Sequence, residues 1–225
     1  MTNAHTWLQS AIEAFEQRAD PETAAGQAAY MRHQFQFFGL KSPVWKSVAK
    51  DLLKRLGPLD GEALGEFCRA AYARPQRELH YLAVFLLERA LPRLQPRDVQ
   101  LIEHLIVHNS WWDTVDWLAK IAGRHFVRFP DSRLPVTQRW IYSNNMWLQR
   151  SAILFQLTYG PKTDFELLGR YILAVMPTDE FFLQKAAGWA LRQYARHAPE
   201  VVRDFLGQHP ELPPLTRREA AKHLG

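Results

Sequence analysis

Three tryptophans and two aspartates fall within the eight positions from Trp111 to Leu118 in the stretch HNSWWDTVDWL. Tryptophan normally helps fill a core, and aspartate is seldom buried without a partner. Placed on a helix, the two residue types separate. Trp111, Val115, Leu118 and Ala122 recur at helical spacing and form an apolar stripe. Trp112, Asp116, Lys120 and Gly123 form the neighbouring stripe. Core packing therefore explains Trp111 but leaves Trp112 one turn before a carboxylate on a more polar face. The chemistry open to such a pair is electrostatic, since an aromatic face and a carboxylate both attract positive charge.

A second segment, EFFLQKAAGWALRQYARH, divides in the same way. Leu183, Ala187, Ala190 and Tyr194 make its apolar stripe, and Lys185, Trp189, Arg192 and Arg196 make the other. A tryptophan among three cations either covers a helix junction with snorkelling side chains around it or belongs to a site. Arg150, in NNMWLQRSAIL, lies at the edge of an apolar stripe, where an arginine commonly pairs with a carboxylate of an adjacent helix. Asp113 and Asp116 are the candidates. His104 and His108 have the spacing of metal ligands but lack the His-Glu-x-x-His order and a third ligand, so no metal and no cofactor is expected. The single cysteine, Cys68, reads as a small core residue and permits no internal disulfide, which fits a reducing cytoplasm. There is no phosphate-binding glycine loop and no Gly-x-Ser-x-Gly nucleophile elbow.

The elements that must position these residues all have helical period. Segments such as TWLQSAIEAFEQRAD, SPVWKSVAKDLLKRLGP, QRELHYLAVFLLERAL and SWWDTVDWLAKIAGRHF follow one another, with proline and glycine gathered between them. Ser42 and Pro43 read as the cap and first residue of one helix, and Gly57-Pro58 as its end. No period-2 strand is evident. Gln149-Arg150 and Gln184-Lys185 lie 35 residues apart, Gln76-Arg77 lies 73 before Gln149, and the segment at Trp111 fills the intervening slot. A two-helix unit of this period predicts an all-α, HEAT-like helical-repeat solenoid, a curved α-superhelix, as a single array over 1–225. The 225 residues are 47% hydrophobic, which supports a sizeable core, and no apolar run reaches the ~18 residues of a membrane span. The N-terminus lacks the pattern of a secretory signal. A net charge of +5 is compatible with a polyanionic partner.

Several of these segments together resemble the AlkD family of DNA alkylation repair glycosylases: SWWDTVD, MWLQRSAILFQL, EFFLQKAAGWALRQYA, PLTRREAAKHL and, near the N-terminus, AAYMRHQFQFFGLKSP. The similarity runs from about Ala4 to the C-terminus. The resemblance implies a HEAT-like solenoid that wraps duplex DNA in a basic groove and excises cationic N3- and N7-alkylated purines by hydrolysing the N-glycosidic bond. It also implies that the base need not be flipped into a pocket, although flipping is the usual route to a base in a duplex. By matching motifs it makes Asp116 the catalytic carboxylate, with Trp112, Trp189, Arg150 and Tyr30 completing the site.

That assignment agrees with the chemistry of the residues. A purine alkylated at N3 or N7 already carries positive charge and leaves without a general acid. One carboxylate can then stabilise the oxocarbenium-like sugar and place water. Trp112 and Trp189 would offer faces to the cation, Arg150 would orient Asp116 or hold a phosphate, and Lys185, Arg192, Arg196, Arg217, Arg218 and Lys222 would serve the DNA backbone. The expected partner is double-stranded DNA containing alkylated bases, with no membrane association, bound by a cytoplasmic, nucleoid-associated monomer. The alternative is a catalytically silent HEAT-like scaffold that binds DNA or protein.

Overall fold

The computed structural model describes residues 3–224; the ends of the expected array, residues 1, 2 and 225, lie outside the described residues. Thirteen α-helices account for most of the described residues: α1 Asn3–Glu16, α2 Pro21–Tyr30, α3 Ser42–Leu56, α4 Gly61–Tyr72, α5 Arg77–Ala90, α6 Val99–Val107, α7 Trp112–Arg128, α8 Pro130–Ile141, α9 Met146–Leu154, α10 Phe165–Ala174, α11 Phe181–Ala195, α12 Pro199–Gln208 and α13 Pro214–Ala220. Among the described residues the only strand-like pairing is an isolated parallel bridge between Gln36 and Gln76. None of the described helices is long and apolar enough to cross a membrane. The chain forms two compact units, 1–101 and 102–225.

In the first unit α1 packs on α3 and α4, and α5 packs on α3 and α4. Trp7, Phe15, Phe67, Leu79 and Leu82 are fully buried there. The turn from Met31 to Lys41 is held by the start of α5. The Glu78 carboxylate accepts hydrogen bonds from the backbone N–H groups of Phe38, Gly39 and Leu40, and the Arg77 guanidinium lies 3.8 Å from the Phe35 ring centre. α3 begins one residue before the proline-first position expected from the sequence, with Lys41 as its N-cap and no side-chain cap from Ser42. It ends at Gly57, whose φ of 74° is open to glycine and strained for other residues.

The second unit has two layers. α7, α9, α11 and α13 pack each on the next, and α8, α10 and α12 lie against this row. Neighbour-on-neighbour stacking of like helices is the arrangement of a helix-pair repeat. The repeat is visible in single hydrogen bonds. The Gln149 side-chain amide donates to the Ser143 carbonyl at 2.8 Å, and the Gln184 amide to the Thr178 carbonyl at 2.6 Å. Each glutamine thus ties its helix to the connection that precedes it, six residues back. The row is close-packed because glycine stands where helices meet. A Cβ on Gly123 of α7 would collide with the Phe155 carbonyl oxygen just after α9, and one on Gly188 of α11 would lie 2.5 Å from the Glu219 Cβ of α13.

Candidate active site

Asp116 and Arg150 bring α7 and α9 together in the second unit. The guanidinium donates Nε to Oδ1 at 2.7 Å and Nη2 to Oδ2 at 2.8 Å, a bidentate fork on one carboxylate. Its Nη1 donates to the Phe182 carbonyl at the start of α11, so one arginine joins three successive helices of the row. The Arg150 side chain is 5% exposed and that of Asp116 13%. Asp113, the other candidate partner, is not the one Arg150 takes. Burial pushes the Asp116 carboxyl above its ordinary value, while the hydrogen bonds and charge of Arg150, and then the charge of Lys120, pull the other way. A carboxylate in this setting is pre-oriented by one cation and keeps a small opening to solvent.

An aromatic cluster that sequence reasoning did not assign to the site packs beside this pair. Trp111 and Trp147 have ring centres 5.9 Å apart, Trp111 and Phe182 5.2 Å, and Trp147 and Phe182 5.0 Å. Phe182 also lies 5.9 Å from the Arg150 guanidinium, and the exposed Phe181 continues the cluster. Helical periodicity placed Trp111 in the core stripe of α7. The helix instead starts at Trp112, and Trp111 is its extended N-cap, half-buried, with a buried indole N–H that finds no acceptor among the described residues. The remaining members of the stripe, Val115, Leu118 and Ala122, are fully buried as expected. Trp147 and Phe182 stand 35 residues apart, each two before its repeat glutamine, so the repeat register carried the signal that would have found them.

Trp112 is the first residue of α7, half-buried, one turn before Asp116. Trp189 is half-buried on α11 and makes no hydrogen bond, ring contact or cation contact among the described residues. Tyr30 is the last residue of α2, highly exposed, and belongs to the first unit.

The six cations expected to serve the DNA backbone divide into three groups. Lys185, Arg192 and Lys222 converge on the buried Glu219 carboxylate, at 3.0, 2.6 and 2.8 Å. Hydrogen bonds from Lys222, then Lys185 and Arg192, hold that carboxyl down at about 2. Arg217 donates to the carbonyls of Leu206 and His209 and so closes the C-terminal end of α12. Arg196 and Arg218 are exposed, with no side-chain partner among the described residues.

His104 and His108 stack, with ring centres 3.9 Å apart, and His108 Nδ1 lies 2.7 Å from the His104 carbonyl oxygen. Among the described residues no group of three or more His, Cys, Asp and Glu could hold a metal ion. Cys68 is fully buried, and burial pushes its thiol up to about 12, which leaves it a packing residue.

A search of curated proteins returned no match. Among solved structures, the fold is similar to that of a predicted DNA alkylation repair enzyme from Enterococcus faecalis. The two are 33% identical, with a TM-score of 0.86 over 92% of this chain and 97% of the other. A Streptococcus mutans UA159 protein, smu.31, shares the fold at 19% identity, with a TM-score of 0.61 over 80% of this chain and 92% of that one. The family model of DNA alkylation repair enzymes matches residues 11–224, and the chain belongs to that family.

Proposed function

We propose that the protein is a DNA-alkylpurine N-glycosylase that hydrolyses the N-glycosidic bond of cationic N3- or N7-alkylated purines in duplex DNA. The observation that carries this reading is the Asp116–Arg150 fork, a mostly buried carboxylate on the α7–α9–α11 row with Trp112 one turn before it. The alkylated base leaves as a neutral purine, taking the bonding pair of the glycosidic bond and discharging its own positive charge. The sugar is left with oxocarbenium character. Asp116 faces that charge and accepts a proton from the water that adds at the anomeric carbon. Arg150 holds both carboxylate oxygens in one plane, so the charge is in place before the reaction begins. Indole faces supply further attraction for a cation, each worth ~0.5–2 kcal/mol. Because the lesion activates its own leaving group, the scheme needs no second acid; that the base need not be extruded is what the family resemblance implies.

One observation favours the runner-up, a silent scaffold. A buried fork that engages both carboxylate oxygens and a third helix is also how a purely structural clamp is built. The two readings separate on one experiment. A duplex containing 7-methylguanine is incubated with the protein and released base is measured. A glycosylase liberates 7-methylguanine and leaves an abasic site, whereas a scaffold binds the same duplex and liberates nothing above the spontaneous rate.

A further inference from the structure

Lys185, Trp189 and Arg192 share one face of α11, at i, i+4 and i+7. Glu219 of α13 lies beneath that face. Its side chain is 7% exposed, whereas Lys185 and Arg192, which pair with it, are 37% and 22% exposed, and Lys222 is 50% exposed. The acid is therefore buried and the cations above it reach solvent. Backbone contacts fix its place. Gly188 admits the Glu219 Cβ and the Thr216 carbonyl oxygen, which would lie 2.5 and 2.8 Å from any Cβ at that position, and Thr216 donates its hydroxyl to the Gln184 carbonyl at 3.1 Å.

We propose that Glu219 is a positioning residue that gathers Lys185, Arg192 and Lys222 into a preformed site for one phosphodiester of the DNA backbone beside Trp189. Three cations on one carboxylate leave a surplus of two positive charges at the cluster. Each ammonium has three N–H donors and the guanidinium five, of which the described pairs with Glu219 use one apiece. Donors thus remain for an anion that accepts several hydrogen bonds at once, as a phosphate does. Long basic side chains lose rotamer freedom when they grip a ligand, and here Glu219 has already ordered them. The site rests on the reading of the chain as an enzyme of duplex DNA and adds to it a mechanism for seating the backbone next to Trp189.

The test couples the protein residue to one linkage of the DNA. Duplexes carry a 7-methylguanine and a single neutral methylphosphonate, moved one linkage at a time across the strand. Single-turnover excision is followed against enzyme concentration for the intact protein and for Glu219→Gln. In the intact protein one linkage should raise the half-saturating concentration about tenfold when neutralised. Glu219→Gln should raise it by a similar factor on unmodified linkages, although the variant is one charge more positive, and that linkage should then cost nothing more. The effect should fall on half-saturation more than on the plateau rate. A merely structural glutamate would lower the melting temperature and leave the linkage profile unchanged. Binding by Glu219→Gln that is equal or tighter, or a profile with no linkage masked by the substitution, overturns the proposal while normal excision by the intact protein leaves the glycosylase reading standing. Should Glu219→Gln fail to fold, Lys185→Gln must mask the same linkage, and failure to do so is equally fatal.

Discussion

Removing Arg150 should expose how the candidate site is held together. Arg150→Ala deletes two hydrogen bonds to Asp116 and one to the Phe182 carbonyl, and it leaves the carboxylate mostly buried without its counter-charge. Breaking a buried pair by removing one partner costs ~3–5 kcal/mol, and the Phe182 carbonyl adds a smaller share that is not independent of it. Against a total stability of ~5–15 kcal/mol this is a large fraction, and at ~2–4 °C per kcal/mol it lowers the melting temperature by roughly 10 °C. The loss should also depend on pH, with a fixed sign. Burial already raises the Asp116 carboxyl above its ordinary value, and Arg150 is the main influence opposing that shift. A carboxyl raised in the folded state favours folding below its unfolded value, and that contribution is lost as pH rises through the folded value. Without Arg150 the folded value climbs further. The destabilisation should therefore be greatest at pH 8 and shrink as pH falls through the variant's folded value, below which a protonated Asp116 needs no counter-charge. Urea unfolding of both proteins across this range reads the difference. A loss below about 1 kcal/mol, or one that does not change with pH, would refute the account of the fork as a buried, charge-dependent clamp.

Charge reversal should distinguish two neighbouring arginines. Arg218→Glu, at an exposed side chain without a partner among the described residues, should weaken binding to undamaged duplex and flatten its salt dependence with stability kept, whereas Arg217→Glu should destabilise the fold by releasing the Leu206 and His209 carbonyls; fluorescence anisotropy at several salt concentrations beside thermal melts checks both. Gly123→Ala drives a methyl group into the Phe155 carbonyl oxygen, so a loss of about 1–3 kcal/mol or more is expected in denaturant titration. Excision should survive a chelator, because the lesion carries its own leaving-group charge; activity lost to chelation and restored by a divalent ion would count against the scheme and return attention to His104 and His108.

Much of this molecule is legible in its sequence, for reasons that differ from element to element. α1, α7 and α11 declare themselves because each buries one face, and buried faces impose helical period, whereas α5 is buried on nearly every side. α2 does not: none of its residues is buried, and it is held by the Asp20 side chain accepting from the Thr23 N–H and by Pro21 at its first turn. α8 is hidden by Pro135 inside its first turns, although Val136, Trp140 and Ile141 are buried. α13 has only seven residues, and the contact that anchors it depends on Gly188 in another helix. At the site, Trp112 and Asp116 stood out because they broke the core pattern. Trp111 and Phe182 did not, because an aromatic at a helix start looks like core until the helix boundary is known. Lys222 meets Glu219 at i, i+3, but the pairing of Lys185 and Arg192 with Glu219 was equally hidden. It joins residues from two helices, and periodicity within one helix carries no information about its neighbour's acid.

The central claim is that Asp116 does chemistry, and one substitution tests it most directly. Asp116→Asn keeps the size of the side chain and an oxygen for Arg150 but removes the charge that would face the oxocarbenium-like sugar. Single-turnover excision from a defined 7-methylguanine duplex, at saturating protein whose fold has been verified by melting, should fall by ~10²–10³-fold or more. Binding to a non-hydrolysable analogue of the same duplex should change little or tighten slightly, since a negative charge has left a surface that meets a polyanion. Near-normal excision by folded Asp116→Asn would remove Asp116 from the reaction and leave the fork with Arg150 as a structural clamp.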